Sequence, residues 1–551
     1  MSDKFLTAWQ RFVGLLQLDK RDIFQVFYYA IFAGIVTLTL PLGIQAIINL
    51  IQGAQISTSW ILLVVLVTLG VAFTGALQVY QMRIIENIQQ KIFTRSSFEF
   101  AYRFPKIKMT ELRNLYPPEL ANRFFDTLTI QKGLSKILID FPTALLQIIF
   151  GLMLLSFYHP FFIIYGILLL LLIYVVFKYT AQKGLETSIQ ESNYKYKVAH
   201  WIQEIARAIV SFKLSGKTNL ALDKNDGLVE EYLKYREGHF KILIIQFIQM
   251  IGFKVLVTGG LLLIGGILVI NQQMNIGQFV AAEIIILIVI GATEKLILGL
   301  ESFYDVLTSL EKLGQVVDKE LEYQDGDKPN LETLEVELDG VSFIVADREK
   351  PIIDNVSFKI PHRQTVVING GSGSGKTSLL KMIAGVIEPT LGNVYVNENK
   401  LKTINLNHYR GVVGQTLAED TPFEGTLLEN ITFGDKSISN EDIQWAIDHT
   451  GLRKFVKEQT NGLRTMIYPE GKQMSFTIAK KIVLARSIVN KPKLLILKEP
   501  LEHFNNKEAD EVRKFLTNDE RPWTLVVVSQ HPDWIKSCSK VYTLENGQLK
   551  N

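Results

Sequence analysis

The chain has one cysteine, Cys538, in 551 residues. A lone thiol excludes an internal disulfide framework, a cysteine-built metal site and a C-x-x-C redox pair, and it fits a reducing environment. Net charge is scarce too: 58 basic residues against 55 acidic ones leave +3, too little at this length to mark a nucleic-acid-binding surface. The opening stretch, MSDKFLTAWQRFVGLLQLDKRD, has no apolar run followed by a small-residue cleavage site, so no signal peptide is read there. No internal repeat or low-complexity tract interrupts the chain. Apolar residues, by contrast, are abundant. Mean hydropathy is +0.18 although 21% of the residues are charged. That combination predicts a membrane part joined to a polar part, in more than one domain.

Six apolar segments lie in the first 300 residues, near Ile23–Ile51, Ile61–Gln81, Ile139–Phe157, Phe161–Tyr179, Ile242–Ile270 and Gly277–Leu300. Each is long enough to cross a bilayer at ~20 residues per crossing. The joins alternate in charge. Gln52–Trp60, Tyr158–Pro160 and Asn271–Asn275 hold no Lys or Arg, whereas the two long joins carry Arg83, Lys91, Arg95 and Arg103 in one, and Lys195, Lys197, Arg207 and Lys213 in the other. The positive-inside rule therefore places the long joins and both termini in the cytoplasm. The long joins have helical patterns, so the spanning helices are expected to extend beyond the membrane. Pro117-Pro118 precedes a short amphipathic piece, Glu119 to Leu128, and Ile209-Val210-Ser211-Phe212 precedes Gly216. Both are candidate transverse helices for contact with a cytoplasmic domain. Glu283 and Glu294 fall in or at the end of the last span, and an intramembrane carboxylate is a candidate pathway group.

Before the first span, Phe5, Trp9, Phe12, Val13 and Leu16 recur at helical spacing between Lys4, Arg11 and Lys20. This predicts an interfacial helix over residues 1–22, followed by a six-helix membrane domain over 23–317. Residues 318–330, DKELEYQDGDKPN, are acidic with Gly and Pro and read as a linker. From residue 331 to 551 strands and helices alternate, which predicts an α/β domain.

Within that domain Gly370-Gly371-Ser372-Gly373-Ser374-Gly375-Lys376-Thr377 matches G-x-x-x-x-G-K-[ST]. An apolar run, Thr365 to Ile368, leads in, and a helical pattern starting at Ser378 leads out. In such a strand–loop–helix, backbone N–H groups close around phosphate oxygens, Lys376 reaches the outer phosphates and Thr377 offers a hydroxyl to Mg²⁺. The helix N-terminus adds its positive dipole end. The predicted ligand is a nucleoside triphosphate.

With these features in order, the chain resembles an ABC exporter half-transporter: an α-helical six-span membrane domain fused to an α/β P-loop nucleotide-binding cassette. Stretches such as PPELANRFFDTLTIQ and IGQFVAAE resemble the type I secretion and peptide-export branch. The resemblance implies ATP and Mg²⁺ as cofactors and a second half-transporter, like or unlike, as partner. It also implies a bacterial-type inner membrane and a membrane-fusion adaptor. It assigns Gln415 of VVGQ to sensing the γ-phosphate and Mg²⁺, and Glu499 to the general base that polarises the attacking water. The switch histidine falls on Gln530, with His531 one residue later.

The departures from that pattern matter as much. Met474-Ser475-Phe476-Thr477-Ile478 stands where exporters carry LSGGQ, so both glycines that allow a close backbone approach to the partner's nucleotide are gone. Val345 stands where an aromatic residue is expected against adenine. Lys498 stands where the family has an Asp that holds Mg²⁺. A unit charge about 5 Å from Mg²⁺ at an effective dielectric near 20 interacts by roughly 6–7 kcal/mol, and reversing its sign turns that attraction into repulsion of similar size, an upper bound for a flexible lysine. Mg²⁺ is therefore expected to be weak or displaced, or replaced by Lys498 as counter-cation. Two readings stay open: an exporter subunit, for a peptide or protein, with slow hydrolysis, or a pseudo-ATPase serving as a structural or regulatory membrane subunit.

Overall fold

The computed structural model describes residues 7–52, 58–345, 348–417 and 419–550. Lys4 and Phe5 of the N-terminal pattern, and the middle of the first uncharged join, lie outside these residues. The chain divides into two compact units, Met1–Lys106 with Asn114–Lys319, and Ile107–Arg113 with Glu320–Asn551.

The first unit is helical. In chain order the helices are α1 (Ala8–Leu18), α2 (Lys20–Thr37), α3 (Thr39–Gln52), α4 (Thr58–Arg103), the short α5 (Met109–Leu112) of the second unit, α6 (Pro117–Ala121), α7 (Asp126–Tyr158), α8 (Phe161–Arg207), α9 (Ile209–Leu214), α10 (Leu220–Ile270) and α11 (Ile276–Val317). Six helical stretches among the described residues are long and apolar enough to cross a membrane, and each contains one of the predicted segments. Leu62, Leu66 and Leu69 of α4 and Ile163, Ile167 and Leu170 of α8 are exposed on the outside. Apolar residues turned outward suit a hydrocarbon solvent, in which every backbone group is satisfied within its own helix. The inward stripe is clearest on α11, where Ala281, Ile285, Val289, Leu296 and Leu300 are buried. Small residues let helices approach: a Cβ on Gly184 of α8 would lie 2.6 Å from the Tyr304 ring. Tyr304 is buried, and its hydroxyl accepts from Gln246 Nε2 at 3.1 Å.

Two expectations from the sequence are corrected here. First, the N-terminal helix does not run to residue 22: α1 ends at Leu18 and α2 begins at Lys20. Part of its apolar face is covered by protein, because Ala8 and Phe12 are buried, the Phe12 ring lies 5.4 Å from that of Phe303, and Arg11 pairs with Asp318. Second, residues 320–330 are not a loose linker. Both Glu322 oxygens accept from Arg410, at 2.6 and 2.9 Å, while the Pro329 carbonyl lies 2.8 Å from His408 Nε2. The acidic composition that suggested solvation serves a fixed ion pair. In addition, of the long join after α4, Ile107–Arg113 groups with the second unit and Glu119–Leu128 with the first. Ile107 bridges Leu321 and the Lys108 N–H donates to the Glu320 carbonyl at 3.0 Å, whereas Glu119 pairs with Arg123 inside the first unit.

The second unit continues with β1 (Val336–Phe343), β2 (Ile353–Ile360), β3 (Thr365–Asn369), α12 (Lys376–Ile383), β4 (Leu391–Val396), β5 (Asn399–Lys400), α13 (Leu406–Arg410), β6 (Val413–Thr416), β7 (Gly425–Thr426), α14 (Leu427–Thr432), α15 (Asn440–His449), α16 (Arg453–Glu458), β8 (Met466–Ile467), α17 (Phe476–Ile488), β9 (Leu494–Lys498), α18 (Asn506–Thr517), β10 (Thr524–Val528), α19 (Pro532–Ser537), β11 (Lys540–Glu545) and β12 (Gln548–Lys550). A six-stranded sheet in the order β12-β11-β3-β10-β9-β6 forms the centre, and a four-stranded sheet, β2-β1-β4-β5, lies beside it in the same unit. Strands β11, β3, β10, β9 and β6 are parallel. Their near-continuous apolar runs, such as Leu494 to Leu497 and Leu525 to Val528, are fully buried, as strands covered on both faces require.

Candidate functional site

Strand register brings the site together. Val528 of β10 pairs with Lys498 of β9 on one side and with Ile368 of β3 on the other, so three strands end on one level. The segments that follow them, Gly370 to Thr377, Glu499, and Ser529-Gln530, therefore emerge side by side at the carboxyl edge of the sheet, where ligands bind in open α/β folds. Gly373 and Gly375 have φ of +80° and +101°, values a side chain disfavours, and Gly375 caps α12.

A cavity of roughly 450 Å³ opens there, lined among others by Arg348, Ser372, Lys376, Thr377, Lys498 and Glu499. Gly373, Ser374, Gly375, Ser378 and Gln530 line it as well. Lys376 Nζ donates to the Gly370 and Gly371 carbonyls, each at 2.6 Å. Burial, and after it the nearby Lys498 ammonium, lowers the Lys376 pKa from its ordinary value, with Glu499 opposing. Glu499 is held in the left-handed region at φ +41°. Ser529 Oγ donates to one of its carboxylate oxygens at 2.7 Å and the Gln530 N–H to the other at 3.1 Å. The backbone of this carboxylate is thus constrained and its side chain held from two sides.

Other expected site residues lie elsewhere. His531 does not line the cavity: its side chain caps α19, accepting from the Asp533 N–H at 3.3 Å, because the chain turns into that helix directly after Gln530. Gln415 is half-buried on β6 opposite Ile496, two positions short of Lys498 in register, and does not line the cavity either. Val345 is 2% exposed and so cannot face a base. Sequence reasoning missed Ser529 and Arg348, and the only signal for Ser529 was a hydroxyl at the end of an apolar strand. It also missed Lys254 of α10, a charge inside an apolar run, which lies 3.8 Å from Glu294 of α11. Glu283 is half-buried on α11.

At the start of α17, Ser475 Oγ accepts from the Ile478 N–H at 3.3 Å and caps the helix. Phe476, half exposed, sets its ring edge-on to His503 at 4.5 Å, and Thr477 Oγ1 donates to the His503 carbonyl at 2.8 Å. Both side chains that replace glycines are thus docked on the chain's own loop after β9.

The groups that the resemblance assigns to Mg²⁺ do not form its donor set. Thr377 Oγ1 accepts a hydrogen bond from Lys498 Nζ at 2.7 Å, Gln415 stands off, and the carboxylate among the described lining residues, Glu499, accepts from Ser529 and Gln530. Among the described residues no cluster of three or more His, Cys, Asp or Glu could hold a metal ion.

Comparison with known proteins agrees with the fold and the phosphate loop. Residues 23–293 match the ABC transporter transmembrane region and residues 353–502 match the ABC transporter family. Together the two domains make the chain an ABC exporter half-transporter and an integral membrane protein; the cassette implies ATP binding, and exporters of this kind act as dimers of half-transporters. A Rickettsia bellii protein described provisionally as an export ATP-binding/permease protein is 23% identical over 85% of this chain and 82% of its own length. The alpha-hemolysin translocation ATP-binding protein HlyB of Escherichia coli O157:H7 is 25% identical over 55% of this chain but only 43% of its own length. A bacterial Atm1-family ABC exporter solved with ATP bound shares the fold at TM-score 0.82 and 14% identity, covering 97% of this chain and 94% of its own.

Proposed function

We propose that the chain is the half-transporter of an export system that couples ATP binding to movement of a peptide or protein across a bacterial-type inner membrane, and that it hydrolyses ATP slowly. The observation that carries this reading is the convergence of Lys376, Thr377, Glu499 and Gln530 around one complete phosphate loop. Lys376 binds phosphate once it exchanges its loop carbonyls for phosphate oxygens. Glu499, oriented by Ser529 and the Gln530 N–H, orients and polarises water for in-line attack. The likeness to HlyB, whose name assigns it to alpha-hemolysin translocation, supports a protein or peptide cargo, and with it a membrane-fusion adaptor. The basic long joins support a cytoplasmic cassette and cytoplasmic termini.

Slow turnover follows from Phe476 and Lys498. An ATP bound at one subunit's loop meets the partner's helix α17, and there a phenyl ring replaces a bare backbone approach. The same two residues favour a second reading, a cassette that clamps without turnover as a structural or regulatory subunit. Native mass spectrometry of the purified protein with and without ATP tests the exporter reading: a dimer that ATP stabilises is expected, and a monomer indifferent to ATP contradicts it.

A further inference from the structure

Resting on the reading of the cassette as an ATP site, we infer that this site takes its nucleotide free of metal, with the Lys498 ammonium seated against Thr377 as the cation that neutralises the outer phosphates. Three features carry the inference. The hydroxyl that would offer a lone pair to a divalent ion is instead engaged by Lys498 Nζ at 2.7 Å. Lys498 is the last residue of β9 and pairs with Val528, so its position is fixed by the sheet and not by a mobile loop. Among the described residues, the charged side chains lining the cavity are Arg348, Lys376 and Lys498 with Glu499. That lining is net positive, which suits a free polyphosphate and repels a divalent cation.

Lys376 opens α12 after the loop that follows β3, Lys498 ends β9, and both line the cavity. Two ammonium groups on fixed backbone positions form a clamp of charge-assisted hydrogen bonds on a nucleoside polyphosphate. Magnesium chelation would then lower the charge of the ligand and leave that clamp with less to hold. The ligand class is a metal-free nucleoside di- or triphosphate, and Lys498 decides between it and the chelate.

The test is equilibrium binding of ATP to the purified full chain, in EDTA and in excess Mg²⁺, for wild type, Lys498→Asp and Lys498→Gln. Wild type is expected to bind in EDTA with affinity within about threefold of, or tighter than, that in Mg²⁺. Lys498→Gln should lose about tenfold or more in EDTA, and Lys498→Asp should lose at least as much and recover in Mg²⁺. With Mn²⁺ as a spectroscopic probe, Lys498→Asp with ATP should broaden the free-ion signal and wild type should not. Each variant's elution as a folded species is checked beside wild type, and Lys498→Gln keeps the test sharp if the charge reversal fails to fold. Wild-type binding that collapses tenfold in EDTA, or a Lys498→Gln variant that binds metal-free ATP like wild type, overturns the inference while leaving the ATP site intact. Absence of ATP binding in both conditions overturns the site reading as well.

Discussion

Gln530 Nε2 donates to the Gly370 carbonyl at 2.7 Å, tying the second residue after β10 to the first glycine of the phosphate loop. Its backbone N–H meanwhile holds Glu499. One residue thus joins the phosphate loop to the carboxylate proposed to polarise water. Gln530→Ala keeps the N–H and removes the tie. ATP affinity should change by less than about threefold, while phosphate release should fall by about tenfold or more, since misplacing a catalytic group costs the reaction and not the binding. Parallel binding and turnover assays read the split.

Lys376→Ala removes the phosphate-loop ammonium. A hydrogen bond to a charged group is worth about 1.5–3 kcal/mol, so ATP affinity should fall roughly 10- to 100-fold. Titration of the full chain with ATP measures it, and equal affinity for wild type and variant would show that the loop does not hold the nucleotide.

The Glu322–Arg410 pair holds residues 320–330 against the rest of the second unit. Glu322 is 9% exposed, so Arg410→Ala leaves a nearly buried carboxylate without its partner, at a cost of about 1–3 kcal/mol. Limited proteolysis between residues 318 and 330 should become several-fold faster in the variant. Cleavage at the wild-type rate would mean that the segment is held by something else.

Cys538 is half-buried, and burial pushes its thiol up to about 11. Because the thiolate is the nucleophile, maleimide labelling of the folded protein at pH 7.5 should be on the order of 100-fold slower than that of an ordinary thiol. The rate should rise about tenfold per pH unit toward pH 11, the sign expected of an acid whose proton is held longer in the folded state. Rapid labelling at neutral pH would contradict the burial.

Much of this was readable from residues alone. The six spans follow from long apolar runs, and the phosphate loop from a motif whose glycines, lysine and threonine each have a fixed task. Glu499 was legible through the resemblance, whose motif order and spacing single it out, since a glutamate after an apolar run says little alone. The sites of Gln530 and His531 were not separable in sequence, since they are neighbours and only the turn into α19 sends them apart. Val345 is buried, which its apolar character alone does not distinguish from a place against a base. The tethered segment at 320–330 was illegible because its partner, Arg410, lies 88 positions from Glu322, and composition alone does not distinguish a solvated carboxylate from a paired one.

Phosphate release from the reconstituted protein tests the central claim most directly, comparing wild type, Glu499→Gln and the double variant Phe476→Gly with Lys498→Asp. Removing one preorganised donor typically costs 10²- to 10³-fold in rate, so wild-type turnover is predicted to lie at least about 100-fold below that of an ordinary exporter. That residual activity should vanish in Glu499→Gln and rise in the double variant when Mg²⁺ is supplied. Brisk wild-type turnover, or residual turnover that survives Glu499→Gln, would contradict the account; no turnover in wild type and no gain in the double variant would replace it with a cassette that only clamps.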